Sequence, residues 1–172
     1  MARPFYRLRQ FLRALAARVR PDEWKIVERT LPPEAVALFR RMPAADQRHS
    51  LDVLYALRAQ GYEEPALWGA ALLHDVAKAE GVGLHHRVIL VLLRAVHRDW
   101  LARIASPDPR SWRYALTLVL EHPRRGAEMG QVAGCLPETV ELIRRHQDEP
   151  PCPPSSRLDE WLRALRAADE AN

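Results

Sequence analysis

Apolar residues recur every three or four positions along most of the chain, which is the spacing of one buried face of an α-helix. No segment shows the two-residue alternation of a half-buried strand. Prolines and glycines interrupt the pattern at places where helices typically begin and end. The pattern therefore predicts an all-α fold, a single irregular bundle of about nine or ten helices. Helices are predicted to begin near positions 4, 21, 33, 44, 65, 84, 111, 122, 137 and 155.

Two predicted boundaries bear on the candidate chemistry. The fifth helix is predicted to run from Pro65 to about Glu80, where a Gly-Val-Gly segment interrupts it. The seventh helix is predicted to end at Glu121. The eighth is predicted to open at His122-Pro123, because proline is favoured in the first turn of a helix. His122 is therefore expected at a helix start.

The composition is that of an ordinary globular chain: 172 residues, of which 48% are hydrophobic and 28% charged. We divide it into an N-terminal helical extension, residues 1–45, packed on a core domain, residues 46–172. The net charge of +4 and the pI of about 9.5 favour an anionic partner. The basic residues are dispersed along helix faces, however, so a solvated surface is favoured and a nucleic-acid partner is disfavoured.

The sequence also bears on location and assembly. Its longest apolar run, Val88 to Leu93, is far shorter than the roughly 20 residues that a membrane span needs. Cys135 and Cys152 are widely separated, which favours two reduced thiols over a disulfide. We therefore expect a cytoplasmic protein with no membrane partner. The amphipathic N-terminal extension either covers the bundle or pairs with a second copy, so a homodimer stays open.

Polar side chains interrupt the apolar faces of several predicted helices. In the last helix Asp169 continues the stripe that Leu162 and Leu165 form. A carboxylate buried there costs several kcal/mol unless it is paired or binds a cation. Other metal-competent side chains lie on or beside apolar faces too: His49, His74 with the neighbouring Asp75, and His146.

Each of these residues has an ordinary explanation when it is taken singly. A lone histidine on an apolar face is more often a core residue with a satisfied ring than a ligand. Asp169 could cap a neighbouring helix or pair with an arginine. As a set, imidazole and carboxylate groups suit a divalent transition metal such as Mn, Fe, Co, Ni or Zn, and Mg is also compatible.

The order of these residues resembles a known family signature. His49, the His74-Asp75 dipeptide and Asp169 follow the order H…HD…D, in the local sequences RHSLDV, LLHDVAK and AADEAN. The segments EHPRRGAEMG and ELIRRHQ add two further histidines. This pattern covers roughly residues 47–172 and resembles the HD superfamily of metal-dependent phosphohydrolases. It is most similar to the diadenosine-polyphosphate hydrolase group and to the HD-GYP phosphodiesterases.

The resemblance implies an HD-type helical domain and a hydrolytic activity. Its substrate would be a small phosphomonoester or phosphoanhydride, most often a nucleotide. Asp75 would bridge two ions, of which the second is bound by His122 and His146. One or two divalent ions would thus be held by six ligands: His49, His74, Asp75, His122, His146 and Asp169.

The chain departs from the patterns of particular groups within the superfamily. Gln147 stands where HD-GYP proteins usually carry a second histidine, and their GYP segment is missing. These departures disfavour cyclic-dinucleotide chemistry and weaken the case for a second ion. The (p)ppGpp hydrolases have an acidic pair after the HD dipeptide, where this chain has Val76-Ala77-Lys78, so they are disfavoured as well.

Asp75 and Lys78 are the predicted catalytic residues. Lys78 follows His74 by four positions, which places both side chains on one helix face a turn apart. An ammonium group there could stabilise negative charge in a phosphoryl transition state. Arginine is used almost everywhere else in this chain, and the only other lysine is Lys25. A surface lysine at a helix end is the alternative.

Four residues are predicted to bind the substrate: Arg124, Arg125, His86 and Gln147. The two arginines lie in the first turn of the predicted eighth helix, where a guanidinium could reach a phosphate, although solvent exposure explains them equally well. His86 opens the sixth predicted helix after the glycine-containing loop and suits a lid or a substrate contact.

Two classes of function stay open at this point. We favour metal-dependent hydrolysis of a phosphomonoester or phosphoanhydride by a metal-activated water. The alternative is an HD-fold ligand-binding or regulatory module without hydrolytic activity. A third hypothesis, motivated by the pI, is an RNA-associated protein, which predicts salt-sensitive binding that survives mutation of the metal site.

Overall fold

The computed structural model describes residues 18–80, 105–106, 108, 110–111 and 113–172 of the chain. Within these ranges the secondary structure is helical and contains no strand, so the predicted all-α class is confirmed. The seven α-helices of the described residues are α1 Pro21–Thr30, α2 Pro33–Arg41, α3 Ala44–Ala59, α4 Pro65–Leu73, α5 Tyr114–Val132, α6 Pro137–Arg145 and α7 Arg157–Ala171. A 3-10 helix, Val76–Glu80, follows α4.

Proline and glycine mark several of these boundaries as predicted. Proline occupies the first turn of α1, α2, α4 and α6, where its missing N–H removes no helical hydrogen bond. Gly61 follows α3 with a φ of +88°, a conformation that only glycine adopts without strain. The first predicted helix and the sixth, with His86, lie outside the described residues.

Two predicted boundaries are wrong. The fifth helix ends at Leu73 rather than near Glu80, so the His74-Asp75 dipeptide lies in the turn between α4 and the 3-10 helix. The predicted seventh and eighth helices are one continuous helix, α5, with Pro123 inside it. The merger removes one helix and two predicted helices lie outside the described residues, so the described residues contain seven α-helices and not the predicted nine or ten.

Helix α4 lies at the centre of the bundle. All of its residues from Ala66 to Leu73 except Trp68 are buried, and it packs against α1, α3, α6 and α7. A short helix covered from several sides must be apolar around most of its circumference, as the sequence PALWGAALL is. The end of α4 therefore delivers the His74-Asp75 dipeptide to the interior of the molecule.

Helices α1 and α2 belong to the same hydrophobic core as the rest of the bundle. Val27 of α1 and Phe39 of α2 are completely buried in it. The buried carboxylate of Glu23 accepts hydrogen bonds from Arg48 on α3, at 2.6 Å, and from the hydroxyl of Tyr55, at 3.2 Å. These contacts tie α1 to the helix that carries His49.

The division of the chain after residue 45 stays a prediction. Among the described residues, none of the helices has the length and apolar character that crossing a bilayer requires.

Candidate metal centre

Five helical segments bring the six predicted metal ligands together in the bundle interior. His74 and Asp75 lie in the turn after α4, and His146 directly follows α6, whereas His49, His122 and Asp169 lie on α3, α5 and α7. The ligand atoms form two groups, and within each group all of them lie within 4.8 Å of one another. The first group is His49, His74 and Asp169, and the second is Asp75, His122 and His146.

The first group is the more open of the two. Oδ1 of Asp169 lies 2.9 Å from Nε2 of His49 and 3.6 Å from Nε2 of His74. The side chains of His49 and Asp169 are 28% and 33% exposed, whereas that of His74 is 1% exposed. We call this group the open triad, because a molecule from solvent can reach two of its three members.

The second group is enclosed, and we call it the buried triad. Oδ1 of Asp75 lies 3.3 Å from Nε2 of His122 and 3.7 Å from Nε2 of His146. The same two histidine nitrogens are 3.1 Å apart. For comparison, a cation bound about 2.1 Å from each ligand places neighbouring ligand atoms about 3 to 4 Å apart.

Asp75 connects the two triads through its two oxygens. Its Oδ1 faces the buried triad, while its Oδ2 lies 3.7 Å from Nε2 of His74 in the open triad. The carboxylate thus stands where a ligand shared by two ions would stand.

Three of the four histidines are held in one orientation by their own backbone. Nδ1 of His74 lies 3.0 Å from the carbonyl oxygen of Ala71. Nδ1 of His122 likewise lies 2.6 Å from the carbonyl oxygen of Val119, and Nδ1 of His146 lies 2.7 Å from that of Ile143. In each case the carbonyl belongs to the residue three positions earlier. A carbonyl can only accept, so each Nδ1 carries the proton and donates it. The neutral rings must then present bare Nε2 lone pairs to the triads, which is how metal-binding histidines are usually oriented.

Two polar atoms of the triads lack the partners that burial normally requires. Nε2 of His74 and Oδ1 of Asp75 are buried and make no hydrogen bond. Leaving such an atom unsatisfied costs about 1–3 kcal/mol, and more for a charged group. Both atoms point into the triads. A cation at each triad would satisfy them, which makes the residues a fitting set of metal ligands.

The protonation states favour a cation as well. Burial lowers the pKa of His122, and burial together with the charge of His74 lowers the pKa of His146 to about 3. Both rings are therefore neutral at neutral pH. Burial also acts on His74, but the carboxylates of Asp75 and Asp169 outweigh it and raise its pKa. A positive charge is favoured at that point, whether it is a proton or a metal ion.

The two carboxylates themselves stay ionised. Burial acts to raise the pKa of Asp75, but Lys78 and His74 hold it well below its usual range. Burial likewise opposes ionisation of Asp169, yet the hydrogen bond from His49 and the nearby ring of His74 lower its pKa below the ordinary value. While His74 is neutral, two carboxylates against the single ammonium of Lys78 leave the two triads with an excess of negative charge.

The helix ends add to this negative potential. His74 and His146 are the C-terminal capping residues of α4 and α6, and Asp169 lies in the last turn of α7. The C-terminus of a helix carries about half an elementary negative charge. Three such ends meet at the triads, and α7 has no basic residue in its last turn to offset its own.

Lys78 reaches the site by a different route from the one predicted. Because α4 ends at Leu73, His74 and Lys78 do not share a helix face. Instead the 3-10 helix places Nζ of Lys78 2.7 Å from Oδ2 of Asp75. This side chain is 22% exposed, so its ammonium lies at the edge of the site and beside the shared carboxylate.

The structure pairs the predicted substrate arginines with acidic neighbours on α5. Arg124 lies within ion-pair distance of Glu121 and donates to Glu128, and Arg125 donates to Glu121 at 2.9 Å. Gln147, by contrast, belongs to the site, because its Nε2 lies 3.3 Å from Nε2 of His122. The substrate-binding roles of these residues stay predictions.

Close packing of α5 against its neighbours depends on Gly126. A Cβ atom added there would lie 3.2 Å from Cγ2 of Ile143 and 3.5 Å from Cγ1 of Val76. The bare backbone therefore lets the helix that carries His122 approach both α6 and the 3-10 helix. Val76 directly follows Asp75, and Ile143 accepts the bond from His146.

The supporting groups around the ligands were not predicted from the sequence. Every residue has a backbone carbonyl, so residue type does not indicate which carbonyls orient the histidine rings. Asp159 is different: it accepts hydrogen bonds from the hydroxyls of Ser155 and Ser156 and from Arg145, next to His146. The Ser156-x-x-Asp159 spacing is that of an N-capping motif and could have identified it.

No protein-family model matches the chain, and neither a curated protein nor a solved structure matches it. The resemblance to the HD superfamily therefore depends on the residue pattern and stays a prediction.

Proposed function

We propose that the chain binds one or two divalent transition-metal ions at the two triads and hydrolyses a phosphomonoester or phosphoanhydride of a nucleotide. The observation that carries the proposal is the convergence of three backbone-anchored imidazoles on two ionised carboxylates. This donor set, nitrogen and oxygen without sulfur, suits Mn, Fe, Co, Ni or Zn better than Mg. The proposed membership of the HD superfamily leads to the same donor set and reaction.

A divalent ion would supply a nucleophilic water at neutral pH and would polarise a phosphoryl oxygen. The residues of the chain have separate roles in the proposal. His122 and His146 would bind an ion on the side of the site that solvent does not reach. Asp75 would offer one carboxylate oxygen to each triad. His49 and Asp169 lie on the side that solvent reaches, so we place the substrate phosphate there.

Lys78 is proposed to stabilise negative charge as the phosphate is attacked. Its ammonium is partly exposed and is already held beside Asp75, so it is positioned before the substrate arrives. Gln147 is proposed as a second polar contact for the substrate, next to His122. Because Arg124 and Arg125 are engaged with glutamates, the substrate would have to compete for them.

The test combines metal analysis with an activity panel. Purified protein is assayed for bound transition metals and for hydrolysis of nucleoside mono-, di- and triphosphates, dinucleoside polyphosphates and an aryl phosphate. The variant Asp75→Asn is expected to lose metal and activity together. The matched control is Asp52→Asn, which removes a carboxylate on the solvent side of α3, 46% exposed, and should change neither.

The outcomes separate the two function classes. Metal-dependent turnover that Asp75→Asn abolishes supports the hydrolase. A wild type that binds metal but is inert on the whole panel would favour the ligand-binding module instead. A wild type that binds no divalent ion would remove the basis of the proposal.

A further inference from the structure

Pro123 lies inside α5, nine residues after the helix begins at Tyr114 and nine before it ends at Val132. Proline in the interior of a helix costs about 3 kcal/mol or more relative to other residues, because it has no N–H and its ring crowds the preceding turn. The helix nevertheless continues on both sides of the proline.

The missing N–H affects one particular carbonyl. In an α-helix the N–H of a residue bonds to the carbonyl four positions earlier, so Pro123 deprives Val119 of its regular donor. The oxygen of Val119 instead accepts the Nδ1–H of His122, at 2.6 Å. The side chain immediately before the proline thus takes the bond that the proline cannot make.

The other two anchored histidines obtain a carbonyl in a different way. His74 and His146 follow the last residues of α4 and α6, where the carbonyl oxygens of the final turn have no succeeding helical N–H. Each ring donates to the carbonyl three residues earlier. His122 makes the same bond in the middle of a helix, where such a carbonyl would normally be occupied.

We propose that Pro123 is a positioning residue that frees the carbonyl of Val119 so that His122 presents its Nε2 to a metal ion. The inference rests on the proposed metal site. On this proposal the proline lowers the stability of the metal-free fold and raises the affinity for metal, so replacing it should change the two quantities in opposite directions. The Nε2 of His122 is then held 3.3 Å from Asp75 and 3.1 Å from His146.

The test replaces Pro123 by alanine, which restores the N–H and is the best helix former. The metal-free Pro123→Ala variant is expected to unfold at a higher temperature than the wild type. Its affinity for Co²⁺, titrated by calorimetry and followed by visible absorption, should fall by about 10- to 100-fold, as it does when the partner of a metal-binding histidine is lost. Pro123→Val, which also has an N–H and keeps more volume, provides a second variant.

Nitrogen-15 NMR of the histidine rings gives a readout that packing alone does not move. In the metal-free wild type His122 should be the Nδ1–H tautomer, and in Pro123→Ala it should become a mixture of tautomers. The control is Pro137→Ala at the start of α6, where no helical carbonyl is affected. It should alter neither the ring signals of His122 nor Co²⁺ binding.

Two results would overturn the inference. Unchanged Co²⁺ affinity and an unchanged His122 tautomer would make Pro123 irrelevant to the site. A parallel fall in affinity and in the unfolding temperature would mean that the proline serves the helix itself. If the wild type binds no Co²⁺, the proposed function fails, whereas the His122 signals still decide whether Pro123 controls the ring.

Discussion

The rings of His122 and His146 face each other through their Nε2 atoms, 3.1 Å apart in a region closed to solvent. Each ring already donates its Nδ1 proton to a backbone carbonyl. A hydrogen bond between the two rings would require an additional proton and hence a buried imidazolium, which the lowered pKa of both histidines opposes. A cation that accepts both lone pairs removes the conflict.

This relationship predicts that divalent ions stabilise the protein. A ligand present at 100 times its dissociation constant stabilises the folded state by about 2.7 kcal/mol. For a chain of this size that corresponds to an increase of about 5–10 °C in the unfolding temperature. Differential scanning fluorimetry with EDTA, Co²⁺, Mn²⁺, Zn²⁺ and Mg²⁺ measures it. An unfolding temperature that no ion raises would contradict the site, and in a His122→Ala/His146→Ala double variant the increase should largely disappear.

Lys78 is predicted to act on turnover and not on metal retention. In Lys78→Met the ammonium beside Asp75 is lost, so kcat should fall by about 10²–10³, the range for removing a single stabilising charge or donor. Metal affinity should stay the same or rise, because a competing positive charge has gone. Steady-state kinetics and metal titration check the two effects separately.

Lys25→Met provides the matched control, since Lys25 is the only other lysine of the chain and is exposed on α1. It should leave both quantities unchanged. A Lys78→Met variant that loses its metal would show that Lys78 holds Asp75 in place and would contradict a role in the transition state.

Adjacent residues of α7 allow a sharp test of the open triad. Asp169→Asn keeps the shape of the side chain but removes the charge that faces His49 and His74, and it should abolish metal binding at this triad. Glu170→Gln changes the next residue, which is 70% exposed and pairs with Arg166. Elemental analysis should show fewer ions per chain in Asp169→Asn alone, and equal metal content in both variants would exclude Asp169 as a ligand.

Gly126 and Gly130 are predicted to respond differently to alanine. Alanine gains up to about 1 kcal/mol over glycine in a helix, but at Gly126 its Cβ would lie 3.2 Å from Ile143 in the core. The shift this forces should cost about 1–3 kcal/mol and displace His122 from the buried triad. At Gly130 the nearest contact is an ordinary 3.5 Å, so Gly130→Ala should be neutral or stabilising. Urea unfolding of the metal-free proteins compares them, and equal stabilities would contradict the tight approach of α5.

Asp159 is predicted to make stability depend on pH in the acid range. Hydrogen bonds from Ser155, Ser156 and Arg145 lower its pKa to about 2, whereas an aspartate in the unfolded chain titrates near 3.9. A carboxyl with a lowered folded-state pKa stabilises the fold above the unfolded value, and this contribution is lost as the pH falls from about 4 towards 2. Asp159→Asn should therefore unfold at a lower temperature than the wild type at pH 6, and the difference should shrink at pH 3.

Glu160→Gln, on the exposed side of the same helical turn, serves as the control for the change in charge. A difference between Asp159→Asn and the wild type that stays constant between pH 6 and pH 3 would mean that the carboxylate contributes through its shape and not through its charge.

Helix boundaries show where sequence patterns were sufficient and where they were not. The prolines that open α1 and α6 and the glycine that follows α3 were interpreted correctly, because each acts through its own backbone. Pro123 was misread as a helix start, since proline is equally visible in a sequence whether it opens a helix or interrupts one. The structure shows the helix continuing through Pro123, with the Nδ1–H of His122 donating to the carbonyl of Val119.

The spacing of apolar residues in the sequence determined the all-α class, and side-chain chemistry on the apolar faces singled out five metal-competent residues, to which the family resemblance added His122. Only the tertiary structure decided that these residues divide into two triads, that Asp75 connects them, and which ring nitrogen each anchored histidine presents. Those relationships depend on where helices end and how closely they approach one another. They also depend on which backbone carbonyls are left without a helical donor, and residue type does not specify that.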